Sequence, residues 1–180
     1  MVPTLKEIQE GLYIDFEGFG ANQYNRHPPP VLCGYRFGGE ETVKHTVFTQ
    51  AYRCAAESDE TGQVKYCKDR KEFLRNLMDR QTWGGRGFFF SRYEQEQFDA
   101  ILGIRIRRRL IDLHKVLKIR FPGVGRPRSL INYCDAAGIE VPESYGKGEV
   151  TERLRIVREF SGSRKKWASL KRAHKAHKAW

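Results

Sequence analysis

Two acidic residues stand two positions apart in an apolar run near the start of the chain. Residues 12–20 read LYIDFEGFG, and Asp15 and Glu17 alternate there with apolar side chains. The run predicts a buried β-strand, in which positions i and i+2 point to the same face. Two neighbouring carboxylates repel each other and lose hydration unless a cation lies between them. The spacing therefore indicates a divalent-metal site for Mg²⁺ or Mn²⁺, which take oxygen ligands.

The same pair has a simpler interpretation, as solvent-exposed acids at a strand end. Residues 88–91 read FFFS and predict a short central strand that is covered on both faces. A helix is predicted over residues 93–109, directly after this strand.

These segments resemble the motifs of a known superfamily. Asp-x-Glu-Gly at residues 15–18, followed by two predicted antiparallel strands, resembles the opening of the DEDD 3′–5′ exonucleases, a ribonuclease H-like superfamily. The pair Tyr-Glu at residues 93–94 is similar to the second motif of a divergent branch, and this resemblance implies Glu94 as the third candidate ligand. Asp99 is the competing candidate, because the usual motif is Phe-Asp, but it lies more than one helical turn further along. Asp112, in the segment LIDLH, is similar to an acid that is supportive in that branch. The helix predicted after Ser129 resembles a serine–leucine helix that ends in a glycine, here Gly138.

The resemblance runs over most of the chain and implies both a fold and an activity. The fold is α/β, with a mixed sheet of about five strands and flanking helices. An antiparallel meander comes first in this sheet and a central parallel strand follows. The activity is hydrolysis of phosphodiester bonds in DNA or RNA, with Asp15, Glu17 and Glu94 holding the metal. In such sites two ions about 3.5–4 Å apart activate water and stabilise the leaving oxygen.

The last predicted helix departs from the superfamily pattern. His177 stands where the superfamily has its fourth acid, and His174 stands at the preceding asparagine position. Both share one helical stripe with Trp167 and Leu170, so they face the carboxylates if those two residues pack on the sheet. The histidines then ligate a transition metal such as manganese, iron or zinc, or His177 acts as a base. In the alternative interpretation, both join a basic helix surface.

The remaining pattern predicts one ribonuclease H-like domain over residues 1–180, with no internal repeat and no separating linker. Strands are expected at residues 12–16, 31–37, 42–49 and 88–91, and helices at 69–80, 93–109, 129–137, 150–160 and 163–178. Residues 110–117 are expected to form a short strand or a helix. The polar segment 54–68 is expected to be a loop.

The composition indicates which kind of partner and which cellular compartment to expect. The chain has 33 Lys and Arg against 22 Asp and Glu, a formal net charge of +11, which favours a nucleic-acid partner. No run approaches the ~20 apolar residues of a membrane helix, and residues 1–10 do not resemble a signal peptide. The four cysteines are scattered without a C-x-x-C pair, which argues against a zinc ribbon and favours the cytoplasm.

The leading hypothesis is a metal-dependent 3′–5′ exonuclease with an atypical fourth ligand, acting on single-stranded or frayed nucleic acid. Its catalytic set is Asp15, Glu17, Glu94 and His177, with His174 as a further metal ligand. The alternative is a catalytically inactive ribonuclease H-like domain that binds nucleic acid. A third hypothesis is a protein-interaction module whose basic face contacts an acidic partner. No individual basic residue is assigned to nucleic-acid binding.

Overall fold

The computed structural model describes residues 2–19, 28–79, 86–103, 110–126, 129–141 and 149–173. Within these ranges, six β-strands form one sheet, and eight α-helices and one short 3-10 helix accompany it. The strands are β1 (Leu12–Glu17), β2 (Leu32–Phe37), β3 (Lys44–Val47), β4 (Val64–Tyr66), β5 (Gly87–Phe89) and β6 (Leu110–Asp112). The α-helices are α1 (Leu5–Glu10), α2 (Arg53–Glu57), α3 (Arg70–Asp79), α4 (Arg92–Leu102), α5 (Leu113–Arg120), α6 (Leu130–Ala136), α7 (Glu149–Phe160) and α8 (Arg164–Ala173). The 3-10 helix spans Gln50–Tyr52.

The sheet is mixed, and its strand order is β4-β3-β2-β1-β5-β6. The first three strands form the predicted antiparallel meander, while β5 runs parallel to β1 and β6 runs parallel to β5. This arrangement confirms the predicted α/β class and is consistent with a ribonuclease H-like fold. The count of about five strands was one too low for the described residues, because β4 adds to the meander through parallel pairing with β3.

Two stretches differ from the sequence-based expectation for identifiable reasons. The segment 54–68 is not wholly a loop, since it contains most of α2 and all of β4. A three-residue strand such as β4 has too little sequence pattern to stand out, and its pairing with β3 defines it. The helix expected over 93–109 ends at Leu102, because Gly103 adopts a left-handed φ of 68° and caps it. Residues 110–117 form a strand and then the start of a helix.

Capping residues mark the predicted helix starts correctly. The backbone N–H of Glu72 donates to the Asp69 carboxylate at 2.9 Å, so Asp69 caps α3. Ser129 caps α6 by accepting from the N–H of Asn132 at 3.2 Å. Gly138, with a φ of 70°, follows the end of that helix as predicted.

One face of β1 holds the main hydrophobic core. Leu12, Ile14 and Phe16 alternate along the strand and are buried against residues of α3 and α4. The Phe16 ring contacts the fully buried Phe98 ring of α4 at a centroid distance of 5.4 Å. The alternation of a strand therefore turns the intervening residues, Asp15 among them, to the opposite face.

A second cluster covers part of that opposite face. Glu17 pairs with Leu32 in β2, and Leu32 pairs with Val47 in β3, so the three side chains share one face. Leu32 and Val47 belong to an apolar cluster with Leu154 of α7 and the partly buried Trp167 of α8. The two last helices thus lie on the same face of the sheet as the β1 carboxylates.

Burial of the apolar face of β1 should dominate the stability of the strand that carries the carboxylates. Leu12 is fully buried, so Leu12→Ala is expected to lower the free energy of unfolding by about 2–5 kcal/mol. The matched control Leu5→Ala alters a side chain that is 69% exposed and should change it by less than about 0.5 kcal/mol. Urea denaturation of the two variants measures the difference, and equal losses would contradict the core assignment.

Candidate functional site

The carboxyl end of β1 brings Asp15 and Glu17 together. Both point to the face opposite the main core, as the spacing predicts. Solvent reaches the Asp15 side chain, whereas Glu17 is half-buried at the last position of the strand. The interaction between the two carboxyl groups raises the pKa of Glu17 and lowers that of Asp15. The end of β1 therefore places two carboxyl groups next to each other on one face of the sheet.

The start of α4 adds a third acid. Ser91 begins the helix as its N-cap, and Glu94 stands at the third helical position of a capping box. The Glu94 Oε2 atom accepts from the Ser91 backbone N–H at 2.9 Å and from its hydroxyl at 2.6 Å. Glu94 is only 3% exposed. The cap fixes the side chain through its Oε2 atom.

Contacts between α4 and the segment after β1 hold the helix start in place. The Tyr93 hydroxyl donates to the carbonyl of Pro28 at 3.1 Å, and the Gln97 amide donates to the same carbonyl at 3.3 Å. Gly18, directly after Glu17, lies next to the Tyr93 hydroxyl, since an added Cβ would be 3.4 Å from it. The two acidic elements are thereby tied to each other.

Burial raises the pKa values of the three acids, and neighbouring charges add to the shift for Glu17 and Glu94. Desolvation raises the pKa of Glu17 from its ordinary value of 4.5 to about 7, and the charges of Asp15 and Glu94 add to the shift. Desolvation also raises the pKa of Asp15, because protein atoms crowd its carboxylate even though water reaches it. The pKa of Glu94 is raised by burial and by Asp15, against the hydrogen bonds from Ser91. The site therefore carries negative charge that the fold does not neutralise.

The Asp15 and Glu17 carboxyl groups have no basic partner in the part of the chain that the structure describes. None of the Lys and Arg side chains there forms a salt bridge with either acid. Two adjacent carboxylates with raised pKa values suit a hard divalent cation with oxygen ligands. Within the same residues, no three His, Cys, Asp or Glu side chains already form a group that holds a metal. Asp15 and Glu17 are therefore suited to bind a cation together. The Glu94 Oε2 atom is already occupied by the two hydrogen bonds of the helix cap.

The competing acids have other surroundings. Asp99 lines a groove beside β6, between α4 and α5, and its Oδ1 atom is buried without a hydrogen-bond partner. Asp112 caps α5 by accepting from the Lys115 N–H at 3.2 Å, and it also forms a salt bridge with the Lys115 amine. Glu94, rather than Asp99, is the acid of α4 whose charge acts on Glu17.

The two histidines of the predicted site, His174 and His177, lie outside the described residues, which end at residue 173. Trp167, which shares their predicted helical stripe, packs against the second apolar cluster. Their role as ligands stays a prediction.

Sequence reasoning missed three neighbours of the acids on the same face. Gly34 pairs with Asp15 in the sheet, and His45 pairs with Gly34 on the other side. Arg36 stands two positions from Gly34, with its guanidinium 5.6 Å from the centre of the Tyr13 ring. The alternation of the meander carries this information, but only the strand register shows which positions are opposite each other.

Comparisons with protein-family models, curated proteins and solved structures give no match for this chain. The site is therefore interpreted from its own geometry. In the described part of the chain, no helix has the length and apolar character needed to cross a bilayer.

From the raised pKa of Glu17 we predict how the free energy of unfolding depends on pH. The folded state holds this proton more tightly than the unfolded chain, so ionisation of Glu17 opposes folding between pH 4.5 and about 7. Glu17→Gln should therefore raise the free energy of unfolding at pH 8, in chelator, by on the order of 1 kcal/mol after solvent screening. At pH 4.5 the variant and the wild type should differ little.

The measurement is urea denaturation of both proteins at the two pH values. Glu41→Gln, which alters an exposed acid, serves as the control and should show no pH-dependent gain. An equal effect of Glu17→Gln at pH 4.5 and pH 8 would show that the carboxyl group is not destabilised by ionisation.

Proposed function

We propose that the protein is a divalent-metal-dependent nuclease that hydrolyses phosphodiester bonds in DNA or RNA, as 3′–5′ exonucleases do. The observation that carries this proposal is the uncompensated acidic site. Two elements, β1 and α4, bring Asp15, Glu17 and Glu94 within electrostatic reach of one another. Strongly perturbed acids that meet at a strand end and have no structural ion pair are typical of functional sites.

The chain's own residues have distinct roles in this proposal. Asp15 and Glu17 hold Mg²⁺ or Mn²⁺, and Glu17 releases its proton when the cation binds. A bound ion of this kind lowers the pKa of a water molecule and stabilises charge on phosphate oxygens. Glu94 orients the site through the oxygen that its cap leaves unused. His177 and His174 complete the ligand set in the hypothesis from the sequence.

The net charge supports a nucleic-acid partner, and the free thiols support a cytoplasmic location. The net charge of +11 favours a polyanion, and we propose single-stranded or frayed nucleic acid as the substrate. All four cysteines are free thiols, including the fully buried Cys33, which suits the reducing cytoplasm proposed for this protein.

Removal of the β1 charges tests the activity. The wild type is expected to degrade end-labelled single-stranded DNA or RNA in the presence of Mg²⁺ or Mn²⁺. Asp15→Asn and Glu17→Gln should each lower the rate at least about 100-fold, because each removes a charge that holds the metal. Denaturing gel electrophoresis of the labelled strand follows the reaction, and chelator should abolish it.

The matched controls are Asp79→Asn and Glu41→Gln, which alter exposed acids elsewhere and should retain full activity. In a parallel measurement, Mn²⁺ should raise the melting temperature of the wild type but not of the Asp15→Asn, Glu17→Gln double variant. Degradation that survives in the double variant would overturn the assignment.

Glu94 offers a test that separates its cap from its charge. Glu94→Gln keeps an acceptor for the Ser91 backbone and hydroxyl, so the helix start should remain stable. Glu94→Ala removes the acceptor and should cost about 1 kcal/mol or more in the free energy of unfolding. If the charge serves catalysis, both variants lose activity to a similar degree, at least tenfold, while only Glu94→Ala loses stability.

One observation favours the second candidate, a nucleic-acid-binding domain without catalysis. Glu94 has a structural duty as a cap, and no three-ligand metal group is assembled among the described residues. This candidate predicts salt-dependent strand binding with no cleavage at any metal concentration. It also predicts full activity of Glu94→Gln in a binding assay.

A further inference from the structure

A continuous row of positions crosses three strands of the sheet beside the carboxylates. Asp15 in β1 lies opposite Gly34 in β2, and Gly34 lies opposite His45 in β3. Residues directly opposite each other in neighbouring strands point to the same face. His45 is therefore on the carboxylate face, two strands away from Asp15, or about 10 Å between backbones at ~4.8 Å per strand.

The surface at the middle of this row is formed by the Gly34 backbone and the edge of the His45 ring, and these two groups are called the floor. A Cβ added at Gly34 would lie 3.6 Å from His45 Cδ2 and 3.7 Å from His45 Nε2, so the imidazole lies beside Gly34. Gly34 and His45 are both partly exposed. The imidazole therefore reaches across β2 towards Asp15.

A cation stands next to this floor. Arg36 is two residues from Gly34 and so points to the same face. Its guanidinium lies 5.6 Å from the centre of the Tyr13 ring, a cation–π contact that restricts its orientation. Arg36 forms no salt bridge with any described residue. Its charge is therefore available to an anion that approaches the carboxylates.

The neighbouring row is closed, which defines one side of the open area. Glu17 lies opposite Leu32, and Leu32 lies opposite Val47, which is fully buried beneath the second apolar cluster. The floor at Gly34 is thus bounded by the helix-covered row on one side and by Arg36 on the other. A strand of alternating sugars and phosphates suits a groove with a cation beside it and a ring edge in its floor.

We propose that Gly34, Arg36 and His45 form a subsite that binds the sugar–phosphate chain of the substrate next to the carboxylates. Arg36 contacts a phosphate, and the edge of the His45 ring beside Gly34 contacts the adjoining part of the chain. This inference rests on the proposed function and adds to it the path of the substrate. Burial lowers the pKa of His45 against the opposing charge of Asp59, so the imidazole acts as a neutral hydrogen-bonding group.

Three substitutions test the subsite without touching the carboxylates. Gly34→Ala adds a methyl group at ordinary contact distances of 3.6–3.9 Å, so the fold should be kept while the floor is filled. Arg36→Gln removes the cation, and His45→Ala removes the ring-edge contact. The controls are Gly123→Ala, where an added Cβ meets no atom within 4 Å, and Arg75→Gln on an exposed helix surface.

The measurements are KM and kcat for a labelled single-stranded oligonucleotide, of DNA and of RNA, with Mn²⁺. Each subsite variant should raise KM about fivefold with kcat changed less than about twofold, as expected for lost uniform binding. For Arg36→Gln, the slope of log affinity against log salt should fall by about one, the signature of one lost phosphate contact. The Mn²⁺-induced rise in melting temperature should match that of the wild type.

The outcomes separate this inference from the proposed function. Subsite variants that keep the wild-type KM and salt slope overturn the subsite, while cleavage that depends on Asp15 still supports the nuclease. A Gly34→Ala variant that loses the Mn²⁺-induced rise also overturns the subsite, because the effect then acts through the carboxylates. A wild-type protein that neither binds nor cleaves strands removes the proposed function and the subsite together.

Discussion

Burial of the adjacent Asp15 and Glu17 carboxyl groups is the constraint on which the rest of the site depends. Their side chains share one face of β1, and desolvation, with a smaller contribution from the charges of Asp15 and Glu94, raises the pKa of Glu17 to about 7. A fold retains such a pair only where the energy lost is supplied elsewhere. Here it comes from the other face of the same strand, where Leu12, Ile14 and Phe16 are buried in the main core. The strand is thus stabilised on one face and strained electrostatically on the other.

The third acid shows how one residue can serve structure and site together. Glu94 stabilises the start of α4 through Ser91, and the same position brings its charge to Glu17. Hydrogen bonds from Ser91 fix the orientation of the Glu94 side chain. Because β5 and β1 are parallel neighbours, the helix that follows β5 begins at the edge of the sheet where β1 ends. Topology therefore joins two short acidic segments that are far apart in the chain.

The surface next to Asp15 depends on a glycine, Gly34, in the neighbouring strand β2. Gly34 supplies no side chain between Asp15 and His45, so the His45 ring reaches towards the acids, and the Arg36 cation lies on the same face beside the Tyr13 ring. In the proposed function, the acids bind a metal ion and Arg36 binds a phosphate of the substrate. The net charge of +11 is the long-range counterpart of that proposal, since it favours polyanions.

Strands and helices with strong local signals could be predicted from the sequence alone. Alternation around Asp15 and Glu17 predicted β1 and its two faces, and the caps Asp69 and Ser129 predicted helix starts, because these features depend only on neighbouring residues. The acidic site could be proposed from spacing, with Glu94 and Asp99 both open. Only the tertiary structure decided that Glu94 meets Glu17 and that β4 joins the sheet. It also placed Gly34 and His45 beside Asp15, because the register between strands is set by packing across the whole sheet.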